Sequence, residues 1–308
     1  MILVVGSASD TVASALVRQL RETGHPFQVL DEDHPERYSV QPDRVAGRPG
    51  YRVLGGGCDG ASPVGSIFLR HAVAGRLDPG RVASLGKLHE QLNRMLAVAR
   101  CPTVNLPANA GSNYSKPFQV GLMAEAGFDV PRSLVTNIPE NARRFYDELG
   151  GRVIFKGISN VATFAQVLTP DKLDRLDRLP DCPTLFQEYV AGVDYRVHVV
   201  GDEAFVTRLR SRGEDYRRDA RAGDPDLIIE PASMDERTVA RCIEITRRLG
   251  LVVSGIDFKE SPEGRLVALE VNPYPQFTFY EGRSGQPITR AVVSYLTRHP
   301  TDSSNVFA

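Results

Sequence analysis

The sequence predicts an α/β protein of more than one domain. Three observations carry that expectation. The chain opens with a strand–helix–strand pattern. Its middle alternates short β-rich runs with capped amphipathic segments. Near the far end lies a hairpin whose second strand, "LVALEVN", closes on a carboxylate and a carboxamide.

The opening run "MILVVG" reads as a first core strand: it has no basic region before the apolar residues and soon turns polar. "TVASALVRQLRETG" sets Val12, Leu16 and Leu20 at helical spacing and ends in Gly24, a fitting C-terminal cap. "FQVLD" supplies the second strand, so a Rossmann-like layer is expected. The turn "GSASDT" is not G-x-G-x-x-G, which leaves a Rossmann oxidoreductase as a distant reading. "GSIFLRHA" is a further strand ending in Arg70. The next helix carries Val82, Leu85, Leu88, Leu92 and Met95 on one stripe. "PTVNLPANAGSNYS" reads as the linker at the first domain boundary.

Beyond it, Ser115 is positioned to cap "KPFQVGLMAEAG", with Pro117 tolerated in the first turn. "RVIFKG", "TLFQEYV" and "YRVHVVG" are strand-like, and "DYRVHVVGDEAFVTRLR" turns at Gly201-Asp202. Ser233 and Glu236 stand in capping-box register before a helix that ends at Gly250. "VSGIDFKE" and "RLVALEVN" then flank the turn "SPEG". No internal repeat is visible.

Composition narrows the function. The 308 residues are 42% hydrophobic and 24% charged, as expected of a folded domain and not of a disordered chain. A formal net charge of −1 gives no global attraction for nucleic acid or an anionic membrane. Apolar runs are strand-sized, far short of the roughly 20 residues of a membrane span. Cys58, Cys101, Cys182 and Cys242 form no C-x-x-C pair, so neither zinc nor a disulfide framework is indicated. A reduced, cytoplasmic setting is the expectation.

The last hairpin carries the chemistry. With Ser261–Gly264 as the turn, Glu260 faces Arg265 and Asp257 lies opposite Ala268. Asp257, Glu270 and Asn272 then share one sheet face. Two carboxylates and a carboxamide make a hard, all-oxygen donor set suited to Mg²⁺. Burying an unpaired carboxylate costs several kcal/mol, about 2 or more, so Glu270 inside an apolar strand asks for a partner.

"GIDF…ALEVNPYPQF" resembles the closing motif of the ATP-grasp ligases, D-x(n)-E-x-N-P, in the branch of RimK-like glutamate ligases, glutathione synthetase and graspetide macrocyclases. The resemblance runs from about Asn105 to Leu296. It implies an ATP-grasp fold, α/β with an α+β lid, behind an N-terminal Rossmann-like pre-ATP-grasp domain. The divisions implied are 1–114, a central lid at 115–188, and 189–308 with the metal site. "IFLRHA" resembles the graspetide branch in the first domain.

Residue by residue, Asp257, Glu270 and Asn272 are implied to hold the magnesium ions that bridge the ATP phosphates. Lys116 in "NYSKPFQ" and Lys156 in "RVIFKG" are implied to offset phosphate charge. "FQEYVAGVDYR" resembles the adenine hinge: Glu188, Tyr189 and Val190, with Asp194 toward the ribose. Arg196 and Arg210 are the remaining catalytic candidates, and Arg210 stands where RimK-like ligases carry an arginine near the reacting phosphate. "GISNVATFAQ" is less glycine-rich than the family's phosphate loop, and Ser159, Asn160 and backbone amides are left to cradle phosphate. The basic stretch from Arg208 to Arg221 is either a solvated loop or a seat for an acidic peptide.

The implied activity is an ATP-dependent carboxylate–amine ligase working through an acyl phosphate. It needs ATP and Mg²⁺, with Mn²⁺ as an alternative ion. Its substrates are an amino acid, peptide or natural-product precursor and an amine. No nucleic-acid or membrane partner is implied, and a homodimer is admitted. Two rivals stand beside it: a nucleotide-binding regulatory or scaffold protein, and an ATP-grasp kinase that stops at phosphoryl transfer. No G-x-S-x-G and no nucleophilic cysteine context points to covalent acyl transfer.

Overall fold

The computed structural model describes residues 1–45, 48–57, 64–71, 79–98, 101–158, 165–211 and 226–298. The chain divides into two compact units. One is Met1–Ala108 with Leu251–Val253 and Gln276–Ala308. The other is Asn109–Gly250 with Ser254–Pro275.

The first unit contains β1 (Ile2–Gly6), α1 (Thr11–Thr23), β2 (Phe27–Asp31), β3 (Tyr38–Val45), β4 (Arg48–Gly55), β5 (Ser66–Arg70), α2 (Pro79–Val98) and β6 (Thr103–Val104). Its main sheet is parallel, in the order β2-β1-β5-β6. Every β1 residue is buried, which is why the strand is apolar throughout and does not alternate. The Asp10 carboxylate starts α1 by accepting from the Val12 and Ala13 N–H groups. Gly24 ends it in the left-handed region at φ 70°. On α2, Leu88, Leu92 and Met95 pack onto Leu3, Val5, Leu30, Ile67 and Leu69. Leu85 is buried as well, whereas Val82, expected on the same stripe, is exposed.

The β3–β4 ribbon includes Pro42 and Pro49, which a two-stranded ribbon tolerates because each strand has an unpaired edge. The expected linker "PTVNLPANAGSNYS" is folded, as β6 and a 3₁₀ segment, Pro107–Tyr114. Its Asn105 is buried. The carboxamide nitrogen donates to the Val253 carbonyl (2.6 Å), and Oδ1 accepts from the Val252 and Val253 N–H groups. One side chain thus serves both faces of a peptide segment, and a polar composition concealed a buried anchor.

The second unit begins with α3 (Lys116–Glu125). A four-stranded antiparallel sheet follows, built from β7 (Ser133–Thr136), β8 (Val153–Lys156), β9 (Gln166–Val167) and β10 (Thr184–Glu188) in the order β7-β10-β8-β9. One face is covered by α4 (Pro139–Glu148) and the 3₁₀ segment Pro170–Asp181. There Ala142, Phe145, Leu176 and Leu179 meet Val153 and Phe186. Side-chain alternation then sends Ile154 and Lys156 to the other face.

A five-stranded sheet completes this unit: β11 (Val193–Val200), β12 (Glu203–Arg210), β13 (Ile228–Pro231), β14 (Val253–Glu260) and β15 (Leu266–Asn272), ordered β13-β12-β11-β14-β15. β11 and β12 turn at Gly201-Asp202 as expected, with Val200 paired to Glu203. α5 (Glu236–Arg248) packs on β11 and β12. Its cap is Asp235, which accepts from the Thr238 N–H (2.9 Å), so the expected Ser233 capping box is not formed. Ser115 does precede α3, but its side chain makes no capping bond. Finally, α6 (Phe277–Ser284) and α7 (Ile288–Arg298) pack on α1 within the first unit. Among the described residues, no helix is long and apolar enough to cross a membrane.

Candidate functional site

The hairpin β14–β15 pairs Asp257 directly with Glu270, and Gly255 with Asn272. The expected register was different. The connection runs from Ser261 to Arg265, closed by a Ser261 N–H to Arg265 carbonyl bond, so Glu260 opposes Leu266 and not Arg265. Carried on without interruption, that register would set Asp257 against Leu269 and turn Glu270 to the opposite face. A bulge between Asp257 and Phe258 inserts the needed residue and brings both carboxylates to one side. The shared face of Asp257, Glu270 and Asn272 therefore depends on the bulge, not on the four-residue turn expected from the sequence.

The carboxylates are not left alone. Arg196, on β11 and buried, donates through Nη1 to Asp257 Oδ1 at 2.5 Å. Lys116, at the start of α3 and also buried, holds Nζ 3.8 Å from Glu270 Oε2. Breaking a buried pair of this kind leaves an uncompensated charge at a cost of about 3–5 kcal/mol. Gly255 explains how Arg196 reaches across: a Cβ at that position would lie 2.2 Å from the Arg196 Nη2.

His198, two residues along the same face, is fully buried, with Nε2 3.5 Å from the Arg196 Nε. Burial, and then the Arg196 charge, pushes its pKa well below 6.5, so the imidazole is neutral. Gln119 on α3 clamps β15 between Glu270 and Asn272: its Nε2 donates to the Val271 carbonyl (2.7 Å), and its Oε1 accepts from the Val271 N–H. At the strand's exit, Asn272 Oδ1 accepts from the N–H of Tyr274 (2.9 Å), the residue between Pro273 and Pro275, which fixes the carboxamide.

The remaining expected residues fall in three places. Lys156 ends β8 on the face turned away from the helical layer. At the hinge, the Glu188 N–H donates to the Arg132 carbonyl and the Tyr189 N–H to the Arg152 carbonyl. Neither N–H is then available to a base, which leaves carbonyls and the Val190 N–H for that task. The Glu188 carboxylate accepts from Arg265 Nη1 (2.6 Å), and Asp194 pairs with Lys259 Nζ (3.0 Å). Arg210 is 51% exposed and pairs with Glu230 at 3.0 Å. In the β11–β12 register Arg196 opposes Thr207 and Asp194 opposes Leu209. Alternation therefore puts Arg210 on the other face of the sheet from Arg196. Ser159, Asn160 and most of the basic stretch after Ser211 lie outside the described residues.

His198, Gly255 and Gln119 were not foreseen. Gln119 had a visible signal, a carboxamide inside an otherwise apolar helix. Gly255 and His198 had none, since each acts only through the position of Arg196.

The donor set fits a hard divalent cation: it is oxygen throughout, from two carboxylates and a carboxamide on one rigid hairpin. Such a set, beside a buried lysine and a buried arginine, is chemically suited to a cation and phosphate. The chain belongs to the RimK-like ATP-grasp domain family, whose description matches residues 114–296.

It is 28% identical over 191 residues to a probable alpha-L-glutamate ligase of Klebsiella pneumoniae, covering 58% of this chain and 62% of that protein. The chain thus spans about six-tenths of the length of the curated relatives it matches. Among solved structures it is similar to the ATP-grasp ligase PsnB complexed with minimal precursor (27% identity, TM-score 0.81, 97% of this chain and 99% of that one). The macrocyclase MdnC from Microcystis aeruginosa MRC, bound with precursor peptide MdnA, shares the fold at 21% identity and TM-score 0.79, over 96% and 99% of the two chains.

Proposed function

We propose that the chain is an ATP-dependent ligase that joins a carboxylate to an amine on a peptide substrate. The observation that carries this reading is the Asp257–Glu270 pair, brought together by a bulge and braced by Arg196 and Lys116. The likeness to PsnB over nearly the whole of both chains supports a peptide as the carboxylate partner.

In this reading Asp257, Glu270 and Asn272 hold Mg²⁺, which neutralises charge on the ATP phosphates when bound. The side chains of Lys116 and Lys156 contribute further positive charge. The hinge at Glu188–Val190 meets the adenine edge, and Asp194 faces the ribose. Phosphoryl transfer to a carboxylate requires positioning and charge neutralisation more than covalent help from the protein. The residues present supply those two things. Arg196 keeps the Asp257 carboxylate aimed, and Gln119 and Pro273 hold the direction of Glu270 and Asn272. The second stage is attack by the amine on the activated carbonyl, with phosphate leaving. The division 1–114, 115–188 and 189–308 belongs to this proposal, the lid being the sheet that carries Lys156, and so does a cytoplasmic setting. Arg210, on the other sheet face from Arg196 and paired with Glu230, is left out of this proposal.

Purified protein with ATP, Mg²⁺ and peptides bearing glutamate, aspartate and lysine tests the proposal. Amide formation appears as loss of one water per ADP released. ADP without any amide, together with a phosphorylated product, would instead establish the kinase alternative. Nucleotide binding without turnover on any peptide would establish the regulatory one.

A further inference from the structure

The first unit holds a second polar cluster, and it is built differently. Glu32 follows β2 by one residue, and His71 follows β5 by one residue. In the parallel register Asp31 and Arg70 both pair with Gly6, so Glu32 and His71 leave the sheet at the same level. This is the carboxyl-terminal edge of an open parallel sheet, where α/β folds commonly bind ligands. From the covering layer, α2 brings His89.

One carboxylate oxygen, Glu32 Oε1, lies 2.8 Å from His71 Nδ1 and 2.8 Å from His89 Nε2. The imidazole centroids are 3.9 Å apart, and the three donor atoms all fall within 4.8 Å of one another. Glu32 is completely buried, whereas the His71 and His89 side chains are 22% and 23% exposed. Burial alone would push the Glu32 carboxyl up. The His71 and His89 hydrogen bonds and charges outweigh it and hold the pKa down at about 2. His71 Nε2 is buried without a hydrogen-bond partner, so packing and the Nδ1 contact with Glu32, not a second polar anchor, set the ring's orientation.

We propose that Glu32, His71 and His89 form a binding site for a divalent transition metal of the zinc class, separate from the oxygen cluster of the second unit. The chemistry of the donors selects the ion. Two imidazoles and a carboxylate suit Zn²⁺ and its borderline neighbours, whereas Mg²⁺ prefers oxygen alone. Zinc bonds of about 2.0–2.1 Å at tetrahedral angles separate neighbouring donors by roughly 3.3 Å. The two 2.8 Å contacts must therefore open by only about half an ångström. Three protein ligands of this kind leave a fourth position for water or a further ligand, and the partly exposed histidines put it on the solvent side. A doubly charged ion also answers the buried carboxylate more fully than a shared imidazole proton does.

The test uses the full chain, freed of metal by chelation and titrated with Co²⁺. One equivalent should bind with the visible absorption of a nitrogen–oxygen site of low coordination number, and Zn²⁺ should displace it. His89→Gln and Glu32→Gln should each weaken Co²⁺ binding at least about tenfold, since even outer partners of metal ligands are worth 10–100-fold. Asp257→Asn should leave the spectrum unchanged. Should the substitutions unfold the protein, X-ray absorption on the wild-type complex decides, with two imidazole ligands expected. Three results would overturn the proposal: no Co²⁺ spectrum, an affinity untouched in folded His89→Gln, or a signal lost with Asp257→Asn. Any of them would leave the trio as a hydrogen-bonded anchor for α2.

Discussion

Two carboxylate clusters, one in each unit, differ in the groups that face them. In the second unit, Asp257 pairs with Arg196 and Glu270 lies beside Lys116. In the first, Glu32 faces two imidazoles. Arginine keeps its proton at any relevant pH, so the first arrangement stays charged and aims its oxygens at whatever shares the face. A neutral imidazole nitrogen binds metal through its lone pair, any proton on it passing to solvent. A carboxylate on or just beyond a strand is thus proposed to meet a hard ion in one unit and a borderline ion in the other. The neighbours decide which.

Glu270→Gln should have the largest effect. It removes charge from a proposed metal ligand at nearly constant shape. Mg²⁺-dependent ADP formation should fall about 10²–10³-fold, the range seen when one preorganised electrostatic partner is lost. The melting curve should change little. A wild-type rate at saturating Mg²⁺ would dissolve the distinction between the two clusters.

Arg196→Met should come next, and it acts on stability. Asp257 would be left buried without its guanidinium, at about 3–5 kcal/mol measured by denaturant titration. A loss under 1 kcal/mol, roughly the worth of an exposed pair, would mean that solvent already satisfies Asp257.

Gly255→Ala sharpens the point with one methyl group. The added Cβ would meet the Arg196 guanidinium, which is a flexible end and can move. The fold should survive, while turnover falls about tenfold or more because a small misplacement near the reacting groups is costly. Activity and melting temperature measured on one preparation separate these effects; unchanged turnover would show that Arg196 has room the structure denies it.

The smallest effect should be a pH dependence from His198. Its folded pKa lies below 6.5, the ordinary value expected of the unfolded chain. As pH falls through 6.5 the unfolded state takes up a proton that the folded state refuses. Stability should therefore drop on acidification, with a slope of at most one proton. His198→Gln should flatten the curve between pH 7 and 5, readable from denaturant midpoints. Parallel curves would place the protonation elsewhere.

Much of this was legible in the residues. "GIDF" and "ALEVNP" pointed to the shared face of Asp257, Glu270 and Asn272, and Lys116 lies beside Glu270. The register was not legible, because a β-bulge leaves no residue signature in "GIDFKE" and the turn length was read one residue short. Arg196 and Arg210 are both candidates in the sequence. Strand alternation separates them, and only pairing with β11 and β13 reveals which face each takes. The histidine pair was invisible for a different reason. Glu32, His71 and His89 lie far apart in the chain, and nothing local signals that a parallel sheet will align them.

Hydrogen exchange of the full chain with Mg²⁺ and a non-hydrolysable ATP analogue tests the central claim most directly. Protection should rise in β8, at the hinge after β10, and along β14 and β15, with β1, β2 and β5 unchanged. Protection confined to β1, β2 and β5 would place the nucleotide in the first unit and contradict the assignment of Asp257, Glu270 and Asn272.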